Sequence, residues 1–268
     1  MTNLDTLSKN LIDSFNQIKE EKVLTYNNQL VEDFINQAIK VILFDFLNFK
    51  KENLKLNLEK LVIYLKQLKI REKDIQVFLN NLVEIRNYLN GSLEAIKQGD
   101  PACDSYSEIV LSYLGFEAIT YYRIAHNLYK LNYRVLARMI SELAHEKTGI
   151  DINPGATIGR NFFIDHGTGI VIGQTCIIGD NVKLYQGITL GALSLKKGAL
   201  LKNQKRHPTV LNNVTIYANA SIFGGDTIIG NNVTIGANVY LTHSIEDNKV
   251  CFISSHGIQI EDEKLAKY

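Results

Sequence analysis

Hydrophobic positions recur with two different periods along this chain, and the change falls near residue 150. Before it the spacing is helical. Leu11, Phe15 and Ile18 make one apolar stripe, and Leu30, Phe34, Ala38, Ile42 and Phe46 make a second. Segment 53–69 repeats the pattern with Leu54, Leu58, Leu61, Leu65 and Leu68, and segment 73–97 with Ile75, Phe78, Leu82, Ile85 and Leu89. Four amphipathic helices joined by short polar links predict a bundle over residues 1–98, of a structural or oligomerising kind. Asp100-Pro101 then reads as a helix start, an N-cap carboxylate followed by proline at the first helical position. Further helices are expected up to residue 149, with breaks near Gly115 and Asn132 and Gly149 as C-cap.

After residue 150 the period becomes six. Ile152, Ile158, Ile164, Ile170, Cys176, Val182 and Ile188 fall at the second position of seven consecutive sixes. A second column runs through Ile172, Ile178, Leu184 and Leu190. It resumes at Val210, Ile216 and Ile222, and again, one residue out of phase, at Ile229, Ile235 and Leu241. A helix needs a period near 3.6 and a strand a period of 2, so six fits neither. It fits a parallel β-helix in which each six forms one flat side, three make a coil, and branched side chains fill the bore. An ordinary β-sandwich would not hold the spacing so long. Glycine changes with the period: Gly91, Gly99, Gly115 and Gly149 precede residue 150, and the other fourteen follow it. The expected organisation is a helical domain over 1–149, a β-helix over 150–245 and a tail over 246–268.

Two features interrupt the repeat, and interruptions of a regular pattern are where function is expected. One is the polar pair Asp165-His166. The other is an excursion over 192–209 that carries Lys196, Lys197, Lys202, Lys205 and Arg206 without an acid and ends in Arg206-His207-Pro208. A net charge of +1 gives no global attraction to nucleic acid or anionic membrane. The three cysteines show no metal or disulfide spacing, and the early residues carry an acid and no apolar signal region. No stretch approaches the ~18 uncharged apolar residues of a membrane span. A cytoplasmic protein is expected.

His166 is the candidate base, since histidine titrates near neutral pH. Asp151 lies fifteen residues earlier, a little under one coil, which suits an orienting carboxylate in the coil below or in a neighbouring subunit. Asp100 and Asp165 suit an ammonium and Arg206, next to His207, a carboxylate by bidentate pairing of Arg206, so together these groups suit a zwitterion. The basic loop suits phosphates. A metal-dependent hydratase is a rival reading, but the six histidines form no H-x-H or H-E-x-x-H pair. A non-catalytic scaffold is a third.

The runs DPACDSY, GFEAITYYRIAHNLY, DINPGATIGRNFFIDHGTGIVIGQTCIIGDNVKLYQGITLGA and KRHPTV, in this order over about residues 100–245, resemble the serine O-acetyltransferase family. DHGTGIVIGQT with a later RHP is far more specific than the hexapeptide repeat, which many acyltransferases share. The resemblance implies an α+β protein, with an all-helical N-terminal domain followed by a left-handed parallel β-helix bearing a protruding loop. It implies trimers with sites between subunits, acetyl-CoA as co-substrate, and neither cofactor nor metal. His166 is then the general base and Asp151 its orienter. Asp100 and Asp165 hold the ammonium, and Arg206 with His207 the carboxylate, of serine or of inhibitory cysteine. Gly191, Ala192, Ala218 and Lys205 meet acetyl-CoA. The reaction implied is acetylation of L-serine to O-acetyl-L-serine for cysteine biosynthesis. A homoserine enzyme would keep His166 and Asp151 and alter the acceptor-binding groups. Three features depart from the family pattern. Ala192 replaces the second glycine of Leu-Gly-Gly, and the Gly-x-Pro-Ala stretch is missing after the last coil. The chain closes on Lys267-Tyr268 where tails that dock into O-acetylserine sulfhydrylase carry isoleucine, which argues against that partner. A dimer of trimers is left open by the helical bundle.

Overall fold

The computed structural model describes residues 4–15, 26–47, 51–194, 198–202, 204–254 and 257–262. Among the described residues seven α-helices precede the strands: α1 (Leu4–Phe15), α2 (Asn28–Ile42), α3 (Leu54–Gln67), α4 (Glu72–Gly99), α5 (Tyr106–Ser112), α6 (Leu114–Lys130) and α7 (Arg134–Thr148). The stripes on α2, α3 and α4 bury Phe34, Ala38, Leu61, Leu65, Phe78 and Leu89 as the spacing predicts. On α1, Leu4, Leu7 and Leu11 are exposed, and Ile18 lies outside the described residues. The bundle and the helices that follow it share one core, since α2 packs on α6 and α7 and α4 packs on α6.

Two local expectations need correction. Asp100 does not start a helix; it caps the end of α4, with its N–H on the Ile96 carbonyl at 2.9 Å. The next helix begins at Tyr106 instead. Ser105 Oγ accepts from the Glu108 N–H at 3.1 Å, while Glu108 Oε2 accepts from the Asp104 N–H at 2.7 Å. That near-reciprocal Ser-x-x-Glu cap satisfies two orphan donors, and a lone Asp-Pro start does not. The break expected near Gly115 lies at Tyr113, which ends α5 and precedes α6. Gly115 lies inside α6, where a Cβ would come within 2.4 Å of the Ile164 carbonyl oxygen, so the close packing of α6 on β3 calls for glycine. Gly149 does end α7 in the left-handed conformation, at φ 69°.

The strands form a parallel β-helix with three sheets. The first coil holds β1 (Asp151–Ile152), β2 (Thr157–Ile158) and β3 (Phe163–Ile164), and the second β4 (Val171–Ile172), β5 (Ile177–Ile178) and β6 (Lys183–Leu184). The third holds β7 (Thr189–Gly191), β8 (Thr209–Val210) and β9 (Thr215–Ile216), and the fourth β10 (Ser221–Phe223), β11 (Ile228–Ile229) and β12 (Thr234–Ile235). β13 (Tyr240–Leu241) opens another coil. Stacking every third strand gives a first sheet β1-β4-β7-β10-β13, a second β2-β5-β8-β11 and a third beginning β3-β6-β9-β12. Residues of the tail, β14 (Lys249–Ser254) and β15 (Gly257–Asp262), form an antiparallel hairpin that extends the third sheet.

The column read from Ile152 to Ile188 proves to be two positions. Ile152, Ile158 and Ile164 are strand residues, whereas Ile170, Cys176, Val182 and Ile188 each immediately precede a strand; all are buried in the bore. The change of role comes from two extra residues at one corner. Asp151 pairs with Val171, 20 residues on, whereas Val171 pairs with Thr189, 18 on. At the corner between the second and third sheets, Asn161, Asn181, Asn213, Asn232 and Asn248 all have positive φ. Their amides form a ladder, each Nδ2 donating to the next Oδ1 at 2.7–3.0 Å. Asparagine tolerates that backbone and can pair with its own kind above and below.

Candidate active site

The two-residue insertion after β3 is the corner that carries Asp165 and His166. His166 adopts φ 58°, its side chain is 72% exposed, and its Nε2 lies 3.7 Å from Asp165 Oδ1. That separation is an electrostatic contact and too long for a hydrogen bond. Asp165 is largely covered, and its Oδ2 lies 3.1 Å from Lys183 Nζ. The α4 C-terminus reaches the same corner. Asp100 Oδ2 accepts from the Tyr113 hydroxyl at 2.7 Å and Oδ1 from the Ala102 N–H at 2.9 Å. The Tyr113 hydrogen bond, the Ala102 N–H and the charges of Lys183 and His166 outweigh burial and hold the Asp100 carboxyl below its ordinary value. The same bond pushes the Tyr113 hydroxyl well up. Burial opposes the Lys183 ammonium, but Tyr185 and Asp165 overcome it and its pKa is raised.

Arg206 and His207 occupy a different corner, between the first and second sheets. There Thr175, just after β4, holds the returning end of the loop. Its Oγ1 accepts from the N–H groups of Arg206 and His207, at 3.0 and 3.1 Å. Its own N–H donates to His207 Nδ1 at 3.1 Å, so the neutral ring carries its proton on Nε2. His207 is buried, and a Cβ on Gly173 would lie 2.0 Å from the ring, so the corner closes only around glycine. Gln174 links this corner to α6: its Nε2 donates to the Tyr129 hydroxyl at 2.9 Å and its Oε1 accepts from Arg206 Nη2 at 2.6 Å. The other guanidinium contacts are the Leu201 and Gln204 carbonyls at 3.4 Å. All three partners are neutral, so the positive charge stays uncompensated by them. Lys205, expected at acetyl-CoA, turns its Nζ onto the carbonyls of Thr175 (2.8 Å), Pro208 (3.1 Å) and His207. An ammonium with three donors so engaged serves the backbone in this chain. Lys196 and Lys197 lie outside the described residues.

Burial, together with the charges of Arg206 and Lys205, pushes His207 down to about 4. The folded chain therefore binds fewer protons there than the unfolded one, whose histidine titrates near 6.5. Stability from this site is full above that value and is lost as pH falls toward 4. The melting temperature should drop over that interval, and less steeply in His207→Asn, whose Oδ1 replaces the Nδ1 acceptor without titrating. Equal slopes in the two proteins would remove His207 as the cause.

The fold thus brings Asp100, Asp165 and His166 together at one edge of the first sheet, and Arg206 and His207 at the other. A flat side of five or so residues at ~3.3 Å each separates them by roughly 15 Å. Ala218 lies on the His166 edge, and Gly191 and Ala192 on the Arg206 edge, after β9 and at the end of β7 respectively. Asp151 stands on β1 with its carboxylate 3.4 Å from Arg138 Nη1, on the sheet between the two edges. Lys183, Tyr113, Thr175 and Gln174 receive no role from the sequence, although Gln174, Thr175 and Lys183 fall within runs that carry the resemblance. They sit at outward or corner positions, where a polar residue is ordinary and no periodicity marks it.

The family model described as "Serine acetyltransferase, N-terminal" matches residues 57–120. The serine acetyltransferase of a Synechococcus elongatus plasmid is 52% identical over 145 residues, 53% of this chain and 46% of that protein. The structure of serine acetyltransferase isoform 3 from Entamoeba histolytica, in complex with cysteine, superimposes with a TM-score of 0.75 at 34% identity. That likeness covers 98% of this chain and 96% of the other. The chain belongs to the serine acetyltransferase family. Its sequence match spans about half the length of the curated Synechococcus relative. The serine acetyltransferase of Brucella abortus, in complex with coenzyme A, is similar at 25% identity over 87% of this chain and 82% of that one, with a TM-score of 0.64. Family membership accounts for the succession of helical region and hexapeptide-repeat β-helix. Among the described residues no helix is long and apolar enough to cross a membrane, and no group of three or more His, Cys, Asp or Glu is arranged to hold a metal.

Proposed function

We propose that this chain transfers the acetyl group of acetyl-CoA to the hydroxyl of L-serine, giving O-acetyl-L-serine and coenzyme A. The observation that carries the reading is the meeting of two carboxylates and an exposed histidine at the corner after β3, in a chain of this family. Neutral His166 takes the proton as the serine oxygen attacks the thioester carbonyl. The tetrahedral intermediate then collapses, the carbon–sulfur bond breaks, and the proton passes to the departing thiolate. Asp100 and Asp165 hold the substrate ammonium, and Arg206 with His207 the carboxylate. Gly191, Ala192 and Ala218 flank the donor, for which the coenzyme A complex of the Brucella relative is the supporting precedent.

The acceptor groups stand on opposite edges of one sheet, so a single chain does not surround a molecule as small as serine. We infer a homotrimer in which the His166 edge of one subunit meets the Arg206 edge of the next, with Asp151 orienting the base across or beside that seam. Cysteine, which differs from serine by thiol for hydroxyl, is the expected competitor; the Entamoeba relative was solved with it. The test is acetyl-CoA thioester absorbance with L-serine, with L-homoserine and with no acceptor. Serine-dependent loss that slows when cysteine is added is the expected result. Loss with homoserine alone would move the acceptor, and no loss with any acceptor would overturn the assignment.

A further inference from the structure

Lys183 lies within a run that carries the family resemblance but receives no role from it, yet it touches Asp165 and the backbone carbonyl next to Asp100. It stands on β6, one coil above Asp165. Its Nζ lies 3.1 Å from Asp165 Oδ2 and 3.0 Å from the carbonyl oxygen of Gly99, the residue before Asp100. The rings of Phe163 and Tyr185 flank it at 4.3 and 4.6 Å, and its side chain is only 19% exposed. One ammonium therefore ties the β-helix corner to the end of α4. Apolar packing does not close the same junction: a cleft of about 340 Å³ opens there, lined by Glu94, Gln98, Phe163 and Lys183 among others.

We propose that Lys183 is a positioning residue for acceptor recognition, fixing Asp165 against the α4 terminus so that Asp165 and Asp100 grip one ammonium. The proposal rests on the serine acetyltransferase reading above. Charge supports it: two carboxylates and one lysine leave a single negative charge, which matches a single substrate ammonium. Removing the lysine has two opposed effects. The extra negative charge attracts the ammonium, but at a corner open to water that attraction is screened. Releasing Asp165 from its anchor frees a side chain that must be ordered again at each binding event, and loosens the α4 terminus with it. The loss of order is expected to win.

Steady-state kinetics on Lys183→Met test this. The KM for L-serine should rise about tenfold while kcat changes less than about threefold and the KM for acetyl-CoA stays put. Lys183→Arg, which keeps the charge and the donors, should return the serine KM to within about threefold of wild type. If the methionine variant does not fold, Lys183→Gln, a donor without the charge, takes its place with the same expectations. A serine KM that is unchanged or lower in a variant melting like wild type overturns the proposal, as does a fall in kcat alone. So does an arginine variant no better than methionine. Absence of serine-dependent turnover in the wild-type protein would instead remove the underlying reading.

Discussion

Acetyl transfer by His166→Asn is expected to run about 10²- to 10⁴-fold slower than wild type in kcat, with coenzyme A binding largely intact. Asparagine is the informative replacement because His166 holds φ 58°, a left-handed conformation that asparagine tolerates and alanine does not. The loss then reports the missing base and not a strained corner. The ring is mostly exposed in the single chain, and its nearest carboxylate, at 3.7 Å, is too far to fix the tautomer by a hydrogen bond. Orientation must come from the bound acceptor or from an adjoining subunit. A group so placed has little to do with stability, so the melting temperature should not move. Turnover near the wild-type rate, measured by thioester loss at saturating serine and acetyl-CoA, would exclude His166 as the base.

Arg206→Ala should raise the KM for L-serine roughly 10- to 100-fold, beyond any effect on kcat, since a charge-assisted hydrogen bond to a carboxylate contributes about 1.5–3 kcal/mol. The guanidinium is held in advance by Gln174 Oε1 at 2.6 Å and by two loop carbonyls. Those neutral partners orient it without cancelling its charge, which is what a site for an anionic group requires. L-serine amide, which lacks the carboxylate, provides the control: wild type and Arg206→Ala should use it about equally poorly. A serine KM unchanged by the substitution would dismiss the carboxylate role.

Much of this was legible before folding, for a physical reason. A parallel β-helix repeats one environment at a constant interval, so its bore appears in sequence as Ile152, Ile158, Ile164 and their successors. The loop before Arg206 was equally visible, because it breaks a counted period, and Asp165-His166 stood out as a polar pair; that two residues are inserted there was not visible, since the sixes run on across them. Tyr113, Gln174, Thr175 and Lys183 were not visible. Each owes its role to a partner far along the chain, such as Gly99 for Lys183 or Arg206 for Gln174. Asp100-Pro101 misled for the opposite reason. Its local chemistry suits a helix start, but the Ser105–Glu108 cap downstream satisfies more backbone donors, and Asp100 is left to close α4 and bind Tyr113.

The sequence alone determined the helical half, the coiled half, the family and the residue types of the candidate site, since each is written in local spacing. Only the tertiary structure decided which of those residues meet. It set Asp100 beside Asp165 and His166, turned Lys205 onto backbone carbonyls, and left Arg206 at the far edge of the same sheet. Those outcomes depend on how successive coils stack and where α4 ends against them. Stacking brings together residues up to 84 positions apart, as Gly99 and Lys183 are, and no local period records it.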